Sequence, residues 1–438
     1  MKLNQNQKYI LQSGGLWGLY DGLTAGFLLA YALTLGANNT IVGILGAVPF
    51  IAALISEMPG AKLLEYFPRI RVFGWATGLG RLAWVGIILA PFIFVKAPLL
   101  ALIIFYLLSR CLEYLADPAW TVLVADEVQA KIRGEFIARR TRLVGIAGMA
   151  ALVAAGWYLD FFSNLTGFIT MFAVGIGIGL LNTFLVMRVK DRKEPDHQHH
   201  GFREFFTLDK DFRKYLFFVF CFNFAYMVAS PFFTAYILSD LGQSYTIFAI
   251  STAVATITKI FVYTHMGRLA DKYGDKPVLL LSVMSTALVP LMFLFVTPER
   301  LWLLWPAQIL AGITWAGYDI SIFNMFINVT TPEKRAMQTA TYNIITSIPL
   351  IIAPIVAGYI ADNVMFIFAG IPLLFAISAG LRIMSSFFLF SIPEKRVKHE
   401  YPLSEVLMHA VEIHPSRGVQ QRWVGIVKGV KKKGLLFT

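Results

Sequence analysis

Long apolar runs separated by short polar stretches recur along the whole chain, and we count twelve of them. They lie at about 13–35, 41–58, 71–95, 99–123, 141–160, 165–187, 213–238, 245–266, 277–297, 301–327, 338–361 and 365–391. Each is near the roughly 20 residues that a helix needs to cross about 30 Å of hydrocarbon. Lipid offers no partner to an open backbone N–H or C=O, so runs of this length are predicted as helices. The pattern predicts an all-α membrane protein with twelve transmembrane helices in two six-helix bundles.

Composition agrees. Of 438 residues, 57% are hydrophobic and 15% charged, and the mean hydropathy is +0.65. Soluble domains carry about 25% charged residues. An apolar excess this large cannot be hidden in one globular core. Cys111 and Cys221 fall inside apolar runs and give no disulfide framework. The histidines, including His197, His199 and His200 in a polar stretch, show no metal-ligand spacing, and no metal or cofactor is expected. The polar start, Met1 to Gln12, lacks the basic, apolar, small order of a cleaved signal.

Charge then sets the expected orientation. With the N-terminus inside, the outer loops hold only Lys96 and Arg300, and Arg81, Arg110, Lys259 and Arg382 fall within spans. The rest of the 38 basic residues lie at the inner ends, which predicts both termini in the cytoplasm. The net charge of +12 is spread over several short loops and a tail. That distribution fits attraction to an anionic inner leaflet better than a nucleic-acid surface.

The predicted organisation is a first bundle over 1–189, a linker over 190–211, a second bundle over 212–392 and a basic tail over 393–438. The halves echo each other. Asp117 stands sixteen residues before Arg133, and Asp319 sixteen before Arg335. Between two apolar runs lies Gly267-Arg268-Leu269-Ala270-Asp271-Lys272-Tyr273-Gly274-Asp275-Lys276-Pro277, too polar for hydrocarbon and predicted as a turn at one membrane face. Gly-x-Leu-Ala-Asp-x-x-Gly-x-Lys resembles the loop between helices 8 and 9 of the major facilitator superfamily. The first-half counterpart, Gly60 to Arg69, keeps Gly60 and Tyr66 but has Leu64 where an aspartate is expected. Arg110-Cys111-Leu112-Glu113-Tyr114 is similar to the family's Arg-x-x-Gln-Gly, with Glu113 and Tyr114 as departures. The fifth span has Gly145, Gly148 and Gly156 but not the Gly-Pro pair of many drug/proton antiporters.

Ionisable groups inside a span are costly and usually face a cavity or each other. Asp21 lies in the first span and Asp319 in the tenth. Arg110, Glu113 and Asp117 share one face of the fourth. The resemblance implies that helices 1, 4, 7 and 10 line a central cavity, the seventh contributing Asn223. Glu113, then Asp21, is the expected proton carrier, with Arg110 holding an anionic substrate group; the other reading is a structural ion pair. Asp117 and Asp319 either face the cavity or brace the loop arginines. Lys259 is a substrate contact or snorkels. Arg81 and Arg382 are expected to snorkel or pair. Trp17, Tyr20, Tyr226, Tyr342, Asn324 and Asn343 are further candidate contacts. In the family's loop, Gly267, Arg268 and Asp271 hold the inner gate, with Asp271 near a helix N-terminus; Arg133 and Arg335 are assigned to the same gate.

These readings point to a monomeric secondary transporter for a small organic solute, with a proton as coupling ion, in a cytoplasmic membrane. An uncoupled facilitator and a non-transporting binding or scaffold protein that uses its basic tail stay open. No nucleotide-binding loop or catalytic triad occurs, so an enzyme is not expected.

Overall fold

A computed structural model describes residues 3–190, 209–331, 334–365 and 369–394. Most of the expected linker and nearly all of the basic tail lie outside the described residues. Among the described residues the chain is helical, and eleven helices are long and apolar enough to cross a membrane.

In chain order the first part comprises α1 (Gln5–Leu23), α2 (Ala25–Thr34), α3 (Asn39–Leu63), α4 (Arg69–Ile93), α5 (Pro98–Glu127), α6 (Ala130–Phe161) and α7 (Leu165–Met187). The second comprises α8 (Lys210–Met227), α9 (Phe232–Ala235), α10 (Tyr245–Tyr273), α11 (Asp275–Thr286), α12 (Leu288–Phe293), α13 (Leu304–Val329), α14 (Arg335–Asn363) and α15 (Ile371–Phe387). Starts are marked by side chains that take the orphan first-turn donors. Asn4 and Gln7 form a reciprocal capping box, and Asn38, Asn164 and Ser244 accept from the residue three positions on.

Several expected spans are broken in the middle. The first divides at Thr24 into α1 and α2. The seventh stops at Met227, restarts after Pro231 and ends in a π-helical turn, Tyr236–Asp240. A ring at position 231 cannot donate to the ladder, which explains the break. Pro349 and Pro354, by contrast, sit inside an unbroken α14. The polar turn expected over 267–277 contracts to one residue. α10 continues through Tyr273, Gly274 turns the chain at φ 94°, and α11 begins at Asp275. A positive φ there explains the glycine. Asp271 therefore lies in the last turns of α10, and the acid that opens α11 is Asp275, which accepts from Asn324 and Asn328 at 2.8 and 3.1 Å.

α1 packs on α6 and α7, and α5 on α3 and α4; α13 packs on α10 and α11, and α8 on α14 and α15. Two further seams join the first part to the second, α3 on α14 and α6 on α10. They are built alike. Asp362, near the end of α14, accepts from the backbone N–H of Asn39 and Thr40 at 3.1 and 2.8 Å. Asp160, near the end of α6, accepts from those of Tyr245 and Thr246 at 2.8 and 3.2 Å. Each carboxylate thus covers the positive start of a helix in the other half. One turn earlier, Gly358 lies against the Asn39 carbonyl and Gly156 against that of Tyr245, so close that a Cβ at either would collide with backbone. Phe27 and Phe168 pack edge-on against Tyr245 at the same end. The halves are closed there.

Candidate functional site

The charges of α5 meet a partner that spacing alone did not select. Glu113 Oε2 accepts from Arg110 Nη1 at 2.6 Å on the same helix. Glu113 Oε1 accepts from Tyr20 Oη of α1 at 2.9 Å and forms an ion pair with Arg81 of α4. Arg81 is 2% exposed and its guanidinium lies 4.0 Å from the centre of the Tyr20 ring. Gly179 on α7 makes room, since a Cβ there would stand 2.8 Å from both Arg81 and Tyr20. Of the two expectations for Arg81, snorkelling or pairing, the structure shows pairing, with the side chain buried. A lone arginine halfway along a 25-residue apolar helix was the available signal, the same one that picked out Arg110.

This cluster forms one wall of a cavity of about 230 Å³. Ser13 and Trp17 of α1, Thr77 of α4, Asp117 and Trp120 of α5, Arg140 of α6 and Asn182 of α7 supply much of the rest. Arg140 rests over Trp120 at 4.4 Å. Arg81 Nε, Arg110 Nε and Nη2, and Arg140 Nε are buried without a hydrogen-bond partner among the described residues. Buried donors are rarely left so. Asp21 is close enough to act electrostatically on Glu113 and both cluster arginines. Asp117 is exposed on the cavity wall.

Other candidates lie elsewhere. Asp117 and Arg133 do not form the expected brace: Arg133 donates to the Ala125 and Val128 carbonyls at 2.7 and 3.2 Å, closing the end of α5. Arg335 donates to Thr330 at 3.2 Å, and Asp319 instead pairs with Lys259. Helix ends expose orphan carbonyls, which cationic side chains satisfy. The Lys259–Asp319 pair joins α10 to α13 and is about one third exposed, 37% and 34%. Asn223 is buried and donates to the Thr346 carbonyl at 3.2 Å, tying α8 to α14. Asn343 is exposed on α14, and Asn324 belongs to the Asp275 cluster. Gly267 and Arg268 lie on the last two turns of α10, the latter exposed.

Among the described residues, eleven helices long and apolar enough to cross a membrane, with charge buried around an internal cavity, define a multi-pass helical membrane protein. The description of the Major Facilitator Superfamily matches residues 15–218 and 215–437, and the chain belongs to that family, whose members are transporters and not enzymes. Solved structures agree on the fold. A variant of the nucleoside transporter NupG superposes with a TM-score of 0.72 at 16% identity, over 89% of this chain and 100% of that one. A D-xylose–proton symporter gives 0.69 at 14% identity, over 90% and 99%. In sequence, the chain is 36% identical over 143 residues to the class H tetracycline resistance protein of Pasteurella multocida, covering 32% of this chain and 34% of that protein. The class B protein of Escherichia coli is 25% identical over 115 residues, covering 26% and 28%. The chain thus spans about a third of the length of these curated relatives.

Proposed function

We propose that this protein is a proton-coupled secondary transporter that carries a small organic solute across a cytoplasmic membrane by alternating access. In this reading residues 1–189 and 212–392 are two six-helix bundles. α13 is the twelfth crossing: its 26 residues span about 39 Å at helical rise. Polar side chains such as Gln308, Asp319, Asn324 and Asn328 keep it below the apolar threshold of the others. Both termini face the cytoplasm, so the closed end faces outward. The basic ends of the bundles lie against anionic lipid, and the monomer is the working unit.

The observation that carries the reading is the buried Arg81–Glu113–Arg110 cluster with unfilled guanidinium donors on a cavity wall. Intramembrane charge of this kind serves substrate and proton paths. Arg110 takes an electronegative substrate group. Glu113 accepts the proton once Arg110 lets go, and Asp21 and Asp117 pass it on. Lys259, Asp319 and Asn343 face the substrate path from the second half, and Asn223 holds α8 to α14 behind them. Gly267, Arg268, Asp271, Arg133 and Arg335 close the inner side in the opposite state. The two curated relatives place tetracycline among the first solutes to try.

A second reading, an uncoupled facilitator, has one observation behind it. Glu113 is held by two guanidiniums and a tyrosine at once, which also suits a brace. Proteoliposomes loaded with a pH-sensitive dye separate the two, with tetracycline and a panel of organic anions as solutes. Coupled transport moves internal pH with solute, and Glu113→Gln abolishes gradient-driven uptake while exchange persists. Unchanged uphill uptake in Glu113→Gln removes that residue from the proton path. Solute flux that leaves internal pH untouched in the unaltered protein establishes the facilitator.

A further inference from the structure

The second half holds a cavity of its own, about 260 Å³, between α8, α10, α13 and α15. Its charged wall is Arg382 of α15, which is 3% exposed and does not snorkel. The guanidinium donates from Nε to Ser378 Oγ at 3.1 Å and from Nη1 to the Thr286 carbonyl at 2.8 Å. A long contact of 3.5 Å runs from Nη2 to the Tyr226 carbonyl. All three acceptors are neutral. A guanidinium has five N–H groups, so two are left over.

No carboxylate among the described residues answers the charge. Tyr226 lies beside it, and Asp319, close enough to Tyr226 to act on it electrostatically, is paired with Lys259. A buried cation without a counter-charge is costly, and the described residues supply none here. The remaining lining says what accompanies the missing anion. Thr252 and Thr256 of α10 spend their hydroxyl protons on the Phe248 and Thr252 carbonyls, at 3.1 and 3.0 Å. Each hydroxyl oxygen is therefore left as an acceptor. Trp315, held edge-on to Tyr226 at 5.3 Å, forms an aromatic wall.

We propose that this cavity is a binding site for a small hydroxylated aromatic carboxylate, its carboxylate on Arg382, its ring beside Trp315 and its hydroxyl donated to α10. The site differs from the one in the first half, where the arginines share a carboxylate of the protein's own, Glu113. Its volume falls near the small end of ligand pockets, about 300 Å³.

The test reads binding, not flux, so its outcome is separate from that of the transport assay. The full chain in nanodiscs is titrated with 4-hydroxybenzoate, benzoate and 4-hydroxybenzamide, and separately with chloride and inorganic phosphate, by calorimetry and thermal unfolding. The order expected is 4-hydroxybenzoate, then benzoate, with the amide showing no binding. Arg382→Gln weakens 4-hydroxybenzoate at least about tenfold, as loss of a charge-assisted bond does. Thr256→Val, which leaves the guanidinium in place, weakens 4-hydroxybenzoate but not benzoate. Arg71→Gln, an exposed position in the other half, leaves all three within about twofold, as distant sites should. The proposal is overturned if the amide binds as well as the acid, if Arg382→Gln or Thr256→Val binds 4-hydroxybenzoate like the unaltered protein, or if Arg71→Gln removes the binding. Response to chloride or phosphate alone, or to none of the probes up to their solubility, also overturns it.

Discussion

The two halves share a fold plan but treat buried charge in opposite ways. In the first, Glu113 gathers Arg81 and Arg110 around a carboxylate of the protein's own. In the second, Arg382 is buried against neutral acceptors, while Lys259 and Asp319 pair where they are a third exposed. At the closed end the halves are alike again, each lending a carboxylate to the other. Likeness is kept where the halves meet and is lost in how each holds its buried charge. Architecture is thus common to both halves, and the arrangement of charge is particular to each.

The widest gap should appear in double-mutant cycles. The coupling between Arg81→Met and Glu113→Gln, read from chemical denaturation in detergent, should be about 3 kcal/mol, since removing one partner strands a buried charge. A coupling under about 1 kcal/mol would mean that water already reaches the cluster and that the halves differ less than stated.

Next comes the closed end. Gly358→Ala and Gly156→Ala each place a methyl against backbone and should destabilise the closed arrangement by about 1–3 kcal/mol. Spin-label distances across the α3–α14 and α6–α10 seams should lengthen in both. If one substitution opens its seam and the other does not, the likeness of the two seams is superficial.

Asp362→Ala should raise amide exchange of Asn39 and Thr40, and Asp160→Ala that of Tyr245 and Thr246, each by about the 1 kcal/mol of a lost cap. The Asp362 effect should be the larger, because that carboxylate also accepts from the Asn39 amide and the Thr40 hydroxyl at 3.0 and 2.6 Å. Equal exchange in both variants would place the hold in side-chain packing and not in the carboxylates.

Smallest of all, the Lys259–Asp319 coupling should be no more than about 1 kcal/mol and should fall with salt. Charges within a span usually face a cavity or each other, and partial exposure admits screening. A salt-insensitive coupling would place the pair in a dry environment like that of Glu113.

Much of the fold was legible because a membrane demands length and apolarity, both written into linear sequence. The spans, the echo of Asp117 and Asp319, and the shared face of Arg110 and Glu113 all follow from periodicity. Partners on other helices do not, because spacing fixes a face but not what that face meets. That is why the partner of Arg81 stays unnamed in the sequence, the brace to Arg335 that is one reading of Asp319 gives way to a pair with Lys259, and Tyr20 is a candidate contact without its link to Glu113. The turn at Gly274 was overdrawn for a related reason: charged residues at a helix end look like loop, yet a helix can carry them into water.

One feature of the closed seam reaches past the present chain. Gly358 and Asp362 stand 202 residues after Gly156 and Asp160, so each repeat carries both pieces of the clasp, the acid and the helix start it covers. Because each piece engages its opposite in the other repeat, a polypeptide of half this length would hold everything needed to clasp a second copy of itself. The seam is the kind of join that a duplicated ancestor inherits ready-made, without inventing a new surface.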